Sequence, residues 1–307
     1  MSRDLPLIIV NPKSGRGMTE QSWASRASVI RDQFGPFECR FTEKQAHAIQ
    51  LAEDEARAGR KLIIAVGGDG TVSETANGIL RAGTDAALGM LPGGTGGDFR
   101  RTLGVSADLA KACRQLRDGK IRRMDTGKLT YIDHSGNQTW RYFVNTASFG
   151  MSGAVASRAN QSSKRLGGTL TYATATVRTA VSFDSPEIYL QLDEGHADRL
   201  RVIMVCVANG PSFGGGMRIA PNAKLDDGVF DVIVAGDITA FRLLISSHRL
   251  YAGTHLSMDK IALKKARKVH AVPVHENNEI LLEVDGESPG RLPATMEIIP
   301  QALNVRC

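Results

Sequence analysis

Cysteine, aromatic residues and long apolar runs are all scarce in this chain, and each shortage closes off a class of protein. The four cysteines, Cys39, Cys113, Cys206 and Cys307, lie far apart and form no C-x-x-C pair. That argues against a disulfide framework or a zinc ribbon and fits a reducing, cytoplasmic setting. Aromatics make up 6% and do not interleave with the basic residues, so a stacking platform for single strands is not expected. No other nucleic-acid signature is present, and nucleic acid is not an expected partner. No window reaches the length of a membrane-spanning helix, and Leu5–Val10 is too short for a signal-peptide core. The seven histidines show no H-E-x-x-H pattern, and no G-x-x-x-x-G-K-[ST] loop occurs.

What the chain has in quantity is glycine: 32 in 307 residues, clustered in a few loops. Clustered glycine implies backbone held close to a ligand. A net charge of +6 favours anionic partners. At 42% hydrophobic, the chain can bury a substantial core.

Strand and helix patterns alternate in the first part. Strands are predicted at Leu7–Val10, Phe37–Phe41, Lys61–Val66 and Ala86–Leu91, and helices at Thr19–Phe34, His47–Gly59, Val72–Ala82 and Asp108–Gly119. Glycine-rich loops follow the strands, the pattern of an open, Rossmann-like α/β sheet with ligands at its carboxyl edge. Beyond Asp125 the chain reads as strand after strand. The candidates are Lys128–Asp133, Thr139–Ala147, Glu187–Leu192, Arg201–Ala208, Val229–Ala235, Lys260–Leu263, Lys268–Val272 and Ile280–Val284, with helices near Gly167–Val181 and Ala240–Tyr251. The expected division is a nucleotide-binding domain over 1–126 and a β-sandwich over 127–293, with the alternating tail 294–307 returning to the first.

Three loops carry the chemistry of the first part. Gly67-Gly68-Asp69-Gly70-Thr71 lies between an apolar strand and a helix, where glycine backbone and first-turn amides suit phosphate. Asp69 can serve a hydrated Mg2+, and Thr71 adds a hydroxyl. Pro92-Gly93-Gly94-Thr95-Gly96-Gly97-Asp98-Phe99 follows the next strand; Asp98 offers a second carboxylate, and Arg100 and Arg101 offer charge. Asn11-Pro12-Lys13-Ser14-Gly15-Arg16-Gly17 places Lys13 and Arg16 for a phosphate tail, although taken alone such a loop is more often a polar turn than a site.

In the second part, Glu283-Val284-Asp285-Gly286-Glu287 supplies carboxylates that can accept a hydroxyl proton or form an exposed acidic hairpin. Leu225 to Asp231 reads either as a site for a hard cation or as a plain Asp-Gly turn. Gly210-Pro211-Ser212-Phe213-Gly214 matches G-x-S-x-G, but Gly215, Gly216 and Pro221 oppose the helix a nucleophile elbow needs.

Together, NPKSGRG, the stretch from Thr42 through AVGGDGTVSETANGIL, LPGGTGGDFRRTLG, VANGPSFGGGMRIAPNAKLDDGVFDV and EVDGE resemble the diacylglycerol kinase catalytic-domain family, which includes bacterial lipid kinases and sphingosine and ceramide kinases. The resemblance spans nearly the whole chain. It implies an α/β domain and a β-sandwich with the active site in the cleft between them, ATP as co-substrate and Mg2+ as metal. By motif position, Thr42, Gly67, Gly68, Asp69, Gly70, Thr71, Val72, Ser73 and Thr95 would bind ATP, together with Asn11, Gly94 and Arg101. Lys13 and Arg16 would steady the phosphates. Asp69 and Asp98 would act around the catalytic Mg2+, Glu287 would be the general base, and Asp125 a supporting carboxylate. Asp227, with main-chain oxygens of Lys224 and Val229, would hold a structural Mg2+. Gly97 departs from the family pattern, which has Asn there.

The expected substrate is diacylglycerol or a related membrane lipid. The expected location is cytoplasmic and peripheral at the inner membrane surface, with basic clusters Lys120/Arg122/Arg123 and Lys264/Lys265/Arg267/Lys268 facing anionic lipid and a homodimer as one form of assembly. Two alternatives stay open: a soluble-substrate kinase such as an NAD kinase, and a catalytically weak nucleotide- or lipid-binding regulator.

Overall fold

The computed structural model describes residues 4–94, 97–161, 176, 179, 183–239, 242 and 245–307. The chain divides into two compact units, Met1–Asp125 with Pro300–Cys307, and Thr126–Ile299. It passes from one to the other within β5 (Ile121–Asp133) and within β14 (Gly290–Arg306).

The first unit is built on β1 (Leu7–Val10), β2 (Glu38–Phe41), β3 (Leu62–Gly67) and β4 (Ala87–Pro92), all parallel in the order β4-β3-β1-β2. The end of β14 adds a parallel edge, with Asn304 and Val305 on Ala87 and Leu88. Every residue of β1 and β3 is buried, as expected for parallel strands covered on both faces. Helix α3 (His47–Arg57) turns Ala48, Ala52 and Ala56 inward at four-residue spacing, against α4 (Asp69–Ala82). A Cβ on Gly78 would lie 2.3 Å from the Ile49 carbonyl oxygen, so that helix contact requires glycine.

The expected helix at Thr19–Phe34 is broken at Ser22 into α1 (Met18–Gln21) and α2 (Trp23–Gln33). Helix α4 starts at Asp69, three residues before the expected Val72, so Asp-Gly-Thr is its first turn. A short helix, α5 (Asp98–Thr102), follows the second glycine loop unannounced by any periodicity, and α6 (Leu109–Asp118) is capped by Asp108, whose side chain accepts from the Lys111 amide.

The second unit packs antiparallel strands in two layers. One layer pairs β13 (Leu282–Val284), β7 (Thr146–Gly150), β9 (Asp198–Ala208), β10 (Phe230–Gly236) and β11 (Ile261–Ala266) in that order. The other contains β8 (Glu187–Leu192), β12 (Lys268–Pro273), β14, β5 and β6 (Gln138–Phe143). The long strand β9 pairs with β8 through its first residues and with β7 and β10 through its last. Phe143 and Phe230 stack with ring centroids 5.5 Å apart in a core that includes Phe149, Val205 and Val207.

One strand expected at Thr139–Ala147 is two, β6 and β7, broken where Val144 and Asn145 turn their amides to a buried carboxylate. Helix α7 (Met151–Gln161), not foreseen, covers the outer face of β9 with Met151 and Val155. Of the helix expected at Gly167–Val181 only Thr176 and Thr179 are described, both helical, and of that expected at Ala240–Tyr251 the described residues are 242 and 245–251, which run into α8 (Ser247–Ala252).

Candidate active site

In the first unit, parallel β1, β3 and β4 end at the same edge, and their three loops meet there. A Cβ on Gly93 would fall 2.7 Å from the Gly67 nitrogen, and one on Gly94 would fall 2.6 Å from the Gly68 Cα. The two glycine loops are therefore in backbone-to-backbone contact that no side chain permits. A Cβ on Gly67 would also strike the Thr71 hydroxyl at 2.4 Å.

Asp69 ties the loops together. Its Oδ2 accepts from the Gly97 amide at 2.7 Å and its Oδ1 from the Phe99 amide at 3.1 Å. The β1 loop joins through Asn11, whose Nδ2 donates to Thr71 Oγ1 at 3.1 Å, and through Thr19, whose hydroxyl donates to the Gly93 carbonyl at 3.0 Å. Arg26 of α2 donates to the Pro92 carbonyl and fixes the end of β4. Thr42, just past β2, donates its amide to the Val10 carbonyl at 2.9 Å and stands at the same edge.

The N-cap of α4 is Gly68, which has no side chain to bond the first-turn amides, and amides in that position are an anion's partners. Gly70 belongs to that turn and is half-buried; Val72 and Ser73 are fully buried and support it from within. Lys13 is exposed. The Arg16 side chain and Thr95 lie outside the described residues.

Asp98 is buried at the start of α5, with Oδ1 3.1 Å from Arg101 Nη1. Arg100 donates to the Val105 carbonyl at 2.7 Å. Gly97 has φ 89 and ψ 38, the left-handed region that suits glycine and, next best, asparagine. What holds the loop there is its main-chain N–H on Asp69, which needs no side chain. Asp125 is fully buried in β5 and accepts from the Gln301 amide at 2.7 Å, anchoring the returning strand.

In the second unit, Val284 and Glu287 close a tight turn through reciprocal main-chain bonds, with Asp285 and Gly286 at φ 47 and 90. The turn is not an exposed acidic hairpin. Asp285 is buried and accepts from the amides of Val144, Asn145 and Thr146 at 3.0, 3.0 and 3.1 Å. Burial pushes its carboxyl upward, while the three amides and Arg141 pull it back. Glu283, also buried, accepts from Ser148 Oγ at 2.6 Å and from the Gly286 amide at 2.7 Å.

Glu287 alone of the three carboxylates is half-exposed, and its Oε2 lies 3.0 Å from Arg141 Nη1. Burial, the largest influence on Arg141, pulls its guanidinium down, but Glu287 and Asp285 outweigh it and hold it above its ordinary value. Arg141 and Asn145, which donates to the Ser212 carbonyl at 2.6 Å, carried no signal in the sequence. Ser212 of the G-x-S-x-G stretch sits in a turn between Gly210 and Gly214 with no helix after it, so the elbow is absent.

The Asp227 turn does not fit a structural Mg2+. Its Oδ2 is 3.0 Å from Lys265 Nζ and its Oδ1 faces the Val229 amide at 3.4 Å, so the one carboxylate of the expected Lys224, Asp227 and Val229 set already has both oxygens engaged, one of them by a cation. Asp69 does fit a Mg2+ at the phosphates, which takes one or two carboxylates and keeps waters; Asp98 brings a second carboxylate whose Oδ1 is shared with Arg101. Among the described residues each carboxylate oxygen of Asp69 accepts one amide, and a carboxylate oxygen has a second lone pair.

Comparison with known proteins agrees with this geometry. The family described as "Diacylglycerol kinase catalytic domain" matches residues 6–129, and "YegS C-terminal NAD kinase beta sandwich-like domain" matches residues 145–307. The chain belongs to the diacylglycerol kinase catalytic-domain family, with the YegS-type C-terminal domain. A relative named "Diacylglycerol kinase" from Bacillus subtilis (strain 168) is 29% identical over 294 residues, covering 93% of this chain and 90% of its own. Another of that name from Staphylococcus saprophyticus is 27% identical, covering 97% and 93%. The crystal structure of "a putative diacylglycerol kinase from Bacillus anthracis str. Sterne" superposes with a TM-score of 0.76 at 26% identity, covering 98% of this chain and 96% of that one.

Proposed function

We infer that this protein is an ATP-dependent lipid kinase that transfers the γ-phosphoryl group to a hydroxyl of diacylglycerol or a related lipid. The observation that carries the reading is the union of two glycine loops by one carboxylate, Asp69, at the uncapped start of α4. Such a surface offers amides to phosphate oxygens and leaves no side chain in the way. It suits the triphosphate of ATP, with Lys13, Arg16, Arg101 and the Thr71 hydroxyl as further donors.

Asp69 and Asp98 would hold Mg2+, which when bound neutralises charge on the phosphates. Glu287 accepts the proton of the attacking lipid hydroxyl. Arg141 orients its carboxylate through Oε2, and Asp285 fixes the turn beneath it. Asp125 serves by keeping the returning strand in place.

No helix among the described residues is long and apolar enough to cross a membrane. Lipid access then calls for peripheral contact, for which Lys120, Arg122 and Lys264 supply exposed charge; Lys265 and Lys268 are paired with Asp227 and Glu297 and contribute less. The test is transfer from labelled ATP to a panel of lipids in mixed micelles, with NAD as a soluble acceptor and Asp69→Asn as control. Label on a lipid, lost in the variant, supports the reading; label on NAD alone, or on nothing, overturns it.

A further inference from the structure

We propose that the ammonium of Lys265 is the resident cation of the turn at Asp226–Val229, standing where the family resemblance puts a structural Mg2+. Strand register places it there. In the antiparallel pair of β10 and β11, Asp231 lies directly opposite Lys265, so both side chains share one face. Nζ is 3.4 Å from Asp231 Oδ1. The chain bends back at Gly228, φ 72, and brings Asp227 to the same ammonium, with Oδ2 at 3.0 Å. One tethered charge thus bridges two carboxylates on either side of a turn.

Asp231 makes that charge necessary. Its side chain is 3% exposed beside a second carboxylate, an arrangement that costs stability unless a cation lies between. Among the described residues, no other basic side chain comes within ion-pair distance of either carboxylate. A hydrated divalent ion would have to displace Lys265 from Oδ2 or the Val229 amide from Oδ1, and in the second case would sit against a tethered positive charge. The lysine is part of the chain and present at any metal concentration. This turn is therefore indifferent to free divalent ions, unlike a nucleotide that travels with its own Mg2+.

The experiment is thermal unfolding of the full chain without nucleotide, in chelator and in millimolar Mg2+ or Ca2+, for wild type, Lys265→Met, Asp227→Asn and the double variant. It does not depend on lipid turnover, so it can fail or succeed apart from the kinase reading. Wild type is expected to show the same Tm in chelator and in metal. Lys265→Met is expected to melt about 2 °C lower in chelator and to recover when Mg2+ or Ca2+ is added, because a divalent ion then finds the vacated carboxylates. That recovery is expected to vanish in the double variant. The proposal is overturned if wild type gains stability from Mg2+ and loses that gain in Asp227→Asn. It is also overturned if Lys265→Met melts like wild type in chelator, or melts lower and does not recover with metal.

Discussion

The Pro92–Gly94 backbone lies against Gly67 and Gly68 because nothing intervenes, whereas the Glu283–Glu287 turn is fixed to Val144–Thr146 by a buried carboxylate. Both regions present a functional group at a strand end. The first does so by omitting side chains, the second by burying charged ones. The glycine loops fail when something is added, and the acidic turn fails when something is taken away.

Four substitutions sharpen that contrast, from the largest expected effect to the smallest. Glu287→Gln keeps the shape of the turn and removes the carboxylate proposed to accept the hydroxyl proton. We expect kcat to fall about 10²–10⁴-fold with the KM for ATP little changed, measured by steady-state lipid phosphorylation. Asp285→Ala leaves three buried amides without an acceptor and is expected to cost about 3 kcal/mol in denaturant unfolding. A variant as stable as wild type would break the view that buried charge builds this turn. Gly93→Ala forces the two loops apart and is expected to cost about 2 kcal/mol, with weaker ATP binding by calorimetry. Unaltered affinity would show that loop contact is not what shapes the phosphate surface.

The smallest effect concerns acid. Burial holds His255 below its ordinary 6.5, with Nε2 against the Ile219 carbonyl. The folded protein therefore keeps it neutral while the unfolded chain takes the proton first. Its contribution is complete above about pH 6.5 and is lost as pH falls through the lower folded value. A Tm that declines from neutral pH to pH about 5, and declines less in His255→Gln, is the expected outcome.

The same contrast governs what could be read from the sequence. Glycine loops after apolar strands declare themselves, because LIIV and KLIIAV have one plausible structure and GGDGT and PGGTGGD follow strands directly. The start of α4 was misplaced because Asp69-Gly70-Thr71 looks like loop, and Gly70 has poor helix propensity. The acidic turn was legible only as a motif. Its anchor depends on Asp285 meeting Val144–Thr146, residues about 140 positions away, and nothing local in EVDGE says which carboxylate is buried. Arg141 lies within an ordinary strand pattern and acquires meaning only from the turn that meets it. The carboxylates of the Asp227 turn read either as a cation site or as a plain turn, and the cation beside it comes from β11, 38 positions away in sequence.

The course of β14 bears on how the molecule comes into being. Residues Pro300–Cys307 belong to the same unit as Met1–Asp125. During synthesis the parallel sheet of the first unit emerges first and must wait, with the β4 edge at Ala87 and Leu88 open and Asp125 lacking the Gln301 amide, until the β-rich unit has been made and the last strand delivered. An open parallel edge is a template for wrong pairing. A ribosome-held chain stopped just short of Pro300 should therefore be protease-sensitive and chaperone-bound in its first 125 residues, although almost all of their own sequence has long been available.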